Sequence, residues 1–157
     1  MSELLDITEN LEDTSLWVLD ETGKRLESNN HRTWSPVGQP TIIERNGSHK
    51  GVNIIGATET TKHFDFVYHA YSKEDGTITA THIIKFLEDL LQYDKSRGIR
   101  ISFIQWDNAR IHTAEEVKQF AKAHESELVI LHQPPYSPEL NAQEELWHWL
   151  KSFISKA

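Results

Sequence analysis

The sequence predicts an α/β fold: a mixed sheet made of a three-stranded antiparallel meander followed by alternating helices and strands. Three observations lead there. Short β-rich runs, broken by Gly, Pro and Asn, fill the first half of the chain. From about residue 79 helical periodicity takes over, and strand and helix patterns then take turns. The 157 residues, 38% of them hydrophobic, suffice for one domain with a real core and are cramped for two.

Residues 4–11 space Leu4, Ile7, Thr8 and Leu11 along one side of a short amphipathic helix, within an N-terminal lead-in over 1–15. Leu16-Trp17-Val18-Leu19 is a compact apolar run that halts at Asp20-Glu21-Thr22-Gly23, the pattern of a buried strand entering a turn. Residues 24–40 are polar and carry Trp34-Ser35-Pro36 and Gly38-Gln39-Pro40, so loop or edge structure is expected. Stretches 41–45, 52–58 and 64–71 are β-rich and are separated by Asn46-Gly47 and a polar connection, as in a meander. Ile83, Ile84, Leu87, Leu90 and Leu91 mark one face of a helix over 79–93. Residues 99–106 read as a strand ending at Asp107-Asn108, and Val117, Phe120 and Ala121 mark a second helix. A short buried strand follows at 128–131, and Pro134-Pro135-Tyr136-Ser137-Pro138 makes a stiff, non-helical connection. The last helix begins near Asn141, with Leu146, Trp147, Leu150, Phe153 and Ile154 toward the core.

Composition narrows the function classes. There is no cysteine, which excludes disulfides and thiolate metal sites and fits a reducing compartment. No apolar run reaches the ~20 residues of a membrane span, and the acidic N-terminus is unlike a secretory signal. A soluble protein with no membrane partner is expected. Sixteen Lys and Arg face twenty-four Asp and Glu, a net charge of -8. That balance opposes tight duplex binding by this chain alone, although carboxylates that collect metal ions are neutralised in the working site.

Three acidic residues stand out. Asp20 ends the first strand, Asp107 ends the fourth, and Glu144 opens the last helix. If the first and fourth strands are neighbours, both aspartates project from one sheet edge, where ligands of such sheets sit. Three convergent carboxylates suit Mg²⁺, and a pair of ions ~3.5–4 Å apart can activate an attacking oxygen and stabilise a leaving one. Each residue also has a local explanation. Asp20 before Thr-Gly suits a turn cap, Asp107 in Asp-Asn-Ala suits an Asx turn, and Asn141 with Glu144 forms a capping box.

The surrounding text decides between these. Trp106-Asp107-Asn108-Ala109-Arg110-Ile111-His112 is followed by Gln133-Pro134-Pro135-Tyr136-Ser137-Pro138-Glu139-Leu140-Asn141-Ala142-Gln143-Glu144-Glu145-Leu146-Trp147. This closely resembles the DDE transposases of the mariner-type superfamily, in particular their prokaryotic insertion-sequence branch. Leu19-Asp20-Glu21, the spaced Arg32, Trp34, Pro36, Gly38, Gln39 and Pro40, and Gly56-Ala57 match in order, and 36 residues separate Asp107 from Glu144. The resemblance implies an RNase H-like catalytic domain over 16–157, with Asp20, Asp107 and Glu144 as catalytic metal ligands for two Mg²⁺ ions, for which Mn²⁺ can substitute. It further implies DNA strand cleavage and strand transfer, with transposon ends and target DNA as substrates and a homodimer as the active complex. The setting it implies is the cytoplasm of a prokaryotic cell, nucleoid-associated when on DNA. Ala142 stands where the family usually has proline, a change that leaves the helix start intact. The fifteen residues before the first strand leave no room for the helix-turn-helix region that reads transposon ends. A helix-turn-helix domain or companion chain is therefore an expected partner.

Candidates for DNA contact are Arg32, Trp34, His112, Tyr136 and Ser137. For His112 the competing role is a packed, hydrogen-bonded residue beside the site; for Tyr136 and Ser137 it is a rigid lead-in to the helix. Trp17, Trp106 and Trp147 are expected in the core, whereas Trp34 in its polar loop could stack on a base. Lys24, Arg25, Arg32 and Arg45 could line a DNA path or form a solvated face. Two rival functions share the sequence: an RNase H-like nuclease acting on an RNA–DNA hybrid or junction, and a non-catalytic or decayed fragment that pairs with a complete transposase.

Overall fold

Hydrophobic alternation and helix-end chemistry account for most of the elements in the computed structural model, which describes residues 12–25, 37, 50–61 and 64–133. Strands β1 (Thr14–Arg25), β2 (Gly51–Glu59) and β3 (Phe66–Ser72) form an antiparallel meander. A 3-10 turn at Lys73–Asp75 leads to α1 (Ala80–Ser96), β4 (Ile101–Trp106), α2 (Glu115–Ala123) and β5 (Leu128–His132). The sheet order is β3-β2-β1-β4-β5, with β4 parallel to both β1 and β5. The expected mixed sheet is present, and the expected first and fourth strands are neighbours.

Helix α1 shows how local sequence sets an element. The Thr79 N–H donates to His82 Nδ1 at 3.1 Å, so the imidazole does what Glu or Gln does in a capping box. Ile83, Phe86, Leu87, Leu90 and Leu91 form the buried face. At the far end Gly98 has φ 80°, its N–H donates to Lys95 O, and the Ile99 N–H donates to Asp94 O. This is the Schellman ending, in which glycine takes the left-handed conformation at no steric cost. The helix passes the end of its apolar pattern because Asp94, 1% exposed, is buried as well. Its Oδ2 accepts from Ser15 Oγ at 2.5 Å, Trp17 Nε1 at 2.9 Å and Ser102 Oγ at 2.6 Å, while Arg97 Nη2 donates to Oδ1 at 2.8 Å.

Trp17 and Leu19 from β1, Ile55 and Ala57 from β2, and Ile104 and Trp106 from β4 pack against α1 and against Val117 of α2 in one core. Among the described residues both helices therefore cover the same face. The opposite face of β1 is also buried at Leu16 and Val18, which explains why residues 16–19 read as an unbroken apolar run. Among the described residues no helix is long and apolar enough to cross a membrane.

One expectation is corrected. Asp20 does not end the first strand, and Asp20 to Gly23 do not form a turn, because β1 runs on to Arg25. The β1–β4 ladder stops at Val18↔Gln105, whereas the β1–β2 ladder continues to Arg25↔Gly51. Backbone hydrogen bonds to one neighbour suffice to keep a polar segment extended, and only the part enclosed by neighbours needs apolar side chains. The helix expected over 4–11, the β-rich stretch 41–45, the connection 134–138 and the helix from Asn141 lie outside the described residues.

Candidate active site

Carried two residues past Val18↔Gln105, the β1–β4 register sets Asp20 level with Asp107. Both residues lie just beyond the parallel ladder, at the carboxyl end of β4, where open α/β sheets place their ligands. On its other side Asp20 faces Gly56 of β2. Directly opposed residues turn to the same face of a sheet, so glycine there leaves the space beside Asp20 without a side chain from β2.

Asp107 retains 51% of its side-chain exposure. Its Oδ1 accepts the Ala109 N–H at 2.8 Å, which is the Asx turn expected from Asp-Asn-Ala, and lies 2.9 Å from His112 Nδ1. Both contacts use the same oxygen. Among the described residues no hydrogen bond reaches Oδ2. The turn and a ligand role are therefore compatible in one side chain.

His112 is fully enclosed, with no side-chain exposure. Its ring stacks on Trp106 at 4.6 Å and 9°. Nε2 lies 2.7 Å from Glu21 Oε1, and Nδ1 is also 3.2 Å from the Asp107 carbonyl. Both ring nitrogens thus face carboxylate or carbonyl oxygens, an arrangement that favours the doubly protonated ring. Burial pushes the His112 pKa down, but the hydrogen bond and charge of Glu21, followed by those of Asp107, outweigh it and hold the value above the ordinary histidine range. This burial corrects the DNA-contact expectation for His112, whose ring has no surface to offer a duplex.

Glu21 is a site residue that sequence reading passed over. The signal was available: Trp17, Leu19 and Glu21 occupy one side of β1, so an acid follows two core residues in strict alternation. A carboxylate there, 17% exposed, requires a partner. The end of β5 joins the same corner, where the Gln133 N–H donates to Trp106 O at 2.9 Å and Asn108 Nδ2 donates to Gln133 O at 3.0 Å. Gln133, the last described residue, thus lies against Asn108, the neighbour of Asp107.

Carboxylates of the kind Asp20 and Asp107 carry are the hard oxygen donors that Mg²⁺ and Mn²⁺ take. Among the described residues no group of three His, Asp or Glu gathers around one point. Of the three ligands expected from the sequence, Asp20 and Asp107 are among the described residues. Glu144, together with Arg32, Trp34, Tyr136 and Ser137, lies outside the described residues. Trp17 and Trp106 are buried in the core as expected, and Lys24 shares the Asp20 face of β1 by alternation.

Comparison with solved structures gives the fold its relatives. The Mos1 strand transfer complex matches with a TM-score of 0.60 at 18% identity, covering 95% of this chain and 45% of that chain. The mariner Mos1 paired-end complex with Mn matches at 0.58 and 17%, covering 99% and 53%. The catalytic domain of Mos1 mariner transposase matches at 0.59 and 16%, covering 99% and 68%. The chain thus spans about half the length of the longer Mos1 chains. At these identities the likeness establishes the fold, which is RNase H-like. Comparison with curated protein sequences gives no match. The family described as DDE superfamily endonuclease matches residues 15–157, from the start of β1 through Asp20, Asp107 and Glu144. The chain belongs to the DDE superfamily of endonucleases.

Proposed function

We propose that this chain is the catalytic part of a cut-and-paste DNA transposase, cleaving and joining DNA strands by in-line phosphoryl transfer. The observation that supports this reading is the parallel β1–β4 register, which ends at Val18↔Gln105 and, continued by two residues, brings Asp20 opposite Asp107. Family membership and the Mos1 likeness support the same chemistry, since Mos1 has been captured both as a strand transfer complex and as a paired-end complex with Mn. In this reading Asp20, Asp107 and Glu144 hold two divalent cations, which supply charge stabilisation for the attacking and leaving oxygens when bound. Asp107 contributes the oxygen its turn leaves uncommitted, and the β2 residue opposite Asp20 is Gly56, which adds no side chain. A water would attack at a transposon end, and the released 3′-hydroxyl would later attack target DNA.

The partners in this reading are transposon-end and target DNA, a second copy of the chain, and a helix-turn-helix domain or companion chain. The test fuses a helix-turn-helix domain of known site to the chain and measures Mg²⁺- or Mn²⁺-dependent nicking beside that site. Cleavage that EDTA abolishes and that Asp20→Asn, Asp107→Asn and Glu144→Gln each remove is expected. Equal cleavage by the wild type and all three variants would sink the assignment. Glu144→Gln is the sharpest of the set, because Gln still serves a capping box but not a hard cation.

A further inference from the structure

We infer that Glu21 is a positioning residue that acts through His112 to hold the Asp107 carboxylate in its ligand orientation. The inference rests on the metal-ligand reading of Asp107 given above and adds a residue to it.

The geometry forms a rigid line. Glu21 Oε1 lies 2.7 Å from His112 Nε2, and His112 Nδ1 lies 2.9 Å from Asp107 Oδ1. The His112 ring cannot swing, because it is fully enclosed and lies flat on Trp106. An imidazole gripped by a carboxylate at one nitrogen and stacked on an indole presents its other nitrogen in one direction. Glu21 therefore fixes where the His112 ring meets Asp107. The result at Asp107 is asymmetric: one oxygen is held by two donors, from His112 and from Ala109, and the other is left for a cation.

The sequence places this device economically. Glu21 is the residue after Asp20 on the same strand, so alternation sends the two carboxylates to opposite faces of β1. Asp20 shares the face of Leu16 and Val18, while Glu21 enters the side covered by α1 and α2 and reaches His112 there. His112 follows Asp107 by five positions, on the short turn that brings its ring back over Trp106. Asp20-Glu21 and Asp107 to His112 are thus two halves of one arrangement that the β1–β4 pairing brings together.

The metal-independent test follows the Asp107 side-chain carboxyl by ¹³C NMR in the metal-free chain. Glu21→Gln should shift or broaden that resonance while leaving the exposed Glu88 unchanged. The metal-dependent test titrates the same folded proteins with Mn²⁺. Glu21→Gln should weaken affinity on the order of 10–100-fold, the usual effect of losing a residue that orients a ligand, although Glu21 is not itself a ligand. His112→Asn keeps an amide donor near the Nδ1 position but cannot reach Glu21, so adding Glu21→Gln to it should produce no further loss. A purely structural Glu21 would instead lower stability equally in both backgrounds.

An unmoved Asp107 resonance together with wild-type Mn²⁺ affinity in Glu21→Gln would overturn the positioning role and leave the metal reading standing, provided Asp107→Asn still loses Mn²⁺. Mn²⁺ binding unaffected by Asp107→Asn would overturn the metal reading and this inference with it. If Glu21→Gln fails to fold, His112→Asn carries the comparison, and unchanged Mn²⁺ affinity there overturns the inference equally.

Discussion

At the scale of single residues, Asp107 shows how a conformational role and a chemical role share one side chain. Its Oδ1 closes the Asx turn to Ala109 at 2.8 Å, and an asparagine carbonyl oxygen could do the same. Asp107→Asn should therefore keep the fold while removing the negative charge a hard cation needs. Thermal melts check this directly. With Mn²⁺ at a hundredfold excess over Kd, the wild type should gain about 2.7 kcal/mol by mass action, and Asp107→Asn should gain nothing. A Mn²⁺-dependent rise of equal size in both proteins would remove Asp107 from the ligand set. His112 and Glu21 belong to this scale too, because a buried ring with carboxylates on both sides is oriented by them rather than by its backbone alone.

At the scale of elements, Asp94 pins α1 to the sheet. Ser15 and Ser102 are register partners on β1 and β4, and both donate to the same Asp94 oxygen, with Trp17 and Arg97 completing the set. Breaking such a buried arrangement from one side leaves the other members unsatisfied, so Asp94→Ala should cost roughly 3–5 kcal/mol. Urea unfolding followed by tryptophan fluorescence reads the loss as a lower midpoint with an unchanged slope. A shift below about 1 kcal/mol, the scale of an ordinary exposed pair, would show that the cluster contributes little. The same residues explain what could be read from sequence. The α1 core positions Ile83, Leu87, Leu90 and Leu91 were legible because apolar periodicity announces them. The last turn of α1 was not, since a buried aspartate looks like a surface residue until Ser15 and Ser102 arrive from distant strands. Likewise residues 16–19 announced the enclosed part of β1, while its polar half depends on pairing with β2 that only the assembled sheet supplies. Asp20 and Asp107 were legible through their motifs, but the Glu21–His112 contact joins two motifs and belonged to neither alone.

At the scale of the whole molecule, charge sets the division of labour. With a net charge of -8 the chain has little long-range attraction for phosphate. Gel shifts at ~150 mM salt, near physiological ionic strength, should show weak binding to duplexes with and without transposon ends and no preference between them. Tight, end-specific retention would reveal a reader within this chain. Fold and carboxylate geometry thus account for the proposed chemistry, and the affinity for DNA falls to the helix-turn-helix partner proposed above.

The pairing of Thr14 with Ile101 also imposes an order in time. The β2–β3 hairpin and α1 form from neighbouring residues, whereas β4 must find β1 across most of the described chain, and long closures of this kind are slow. Asp20 and Asp107 should therefore come together only when β4 joins β1. In that interval the inner edge of β1, later sealed by β4, is bare backbone next to Leu16 and Val18. On a ribosome the meander emerges before β4 has been made, so crowded nascent chains can trade strands at that edge. Aggregation during synthesis should therefore begin at the future centre of the sheet rather than at its β3 border, and a slow pause between α1 and β4 should worsen it.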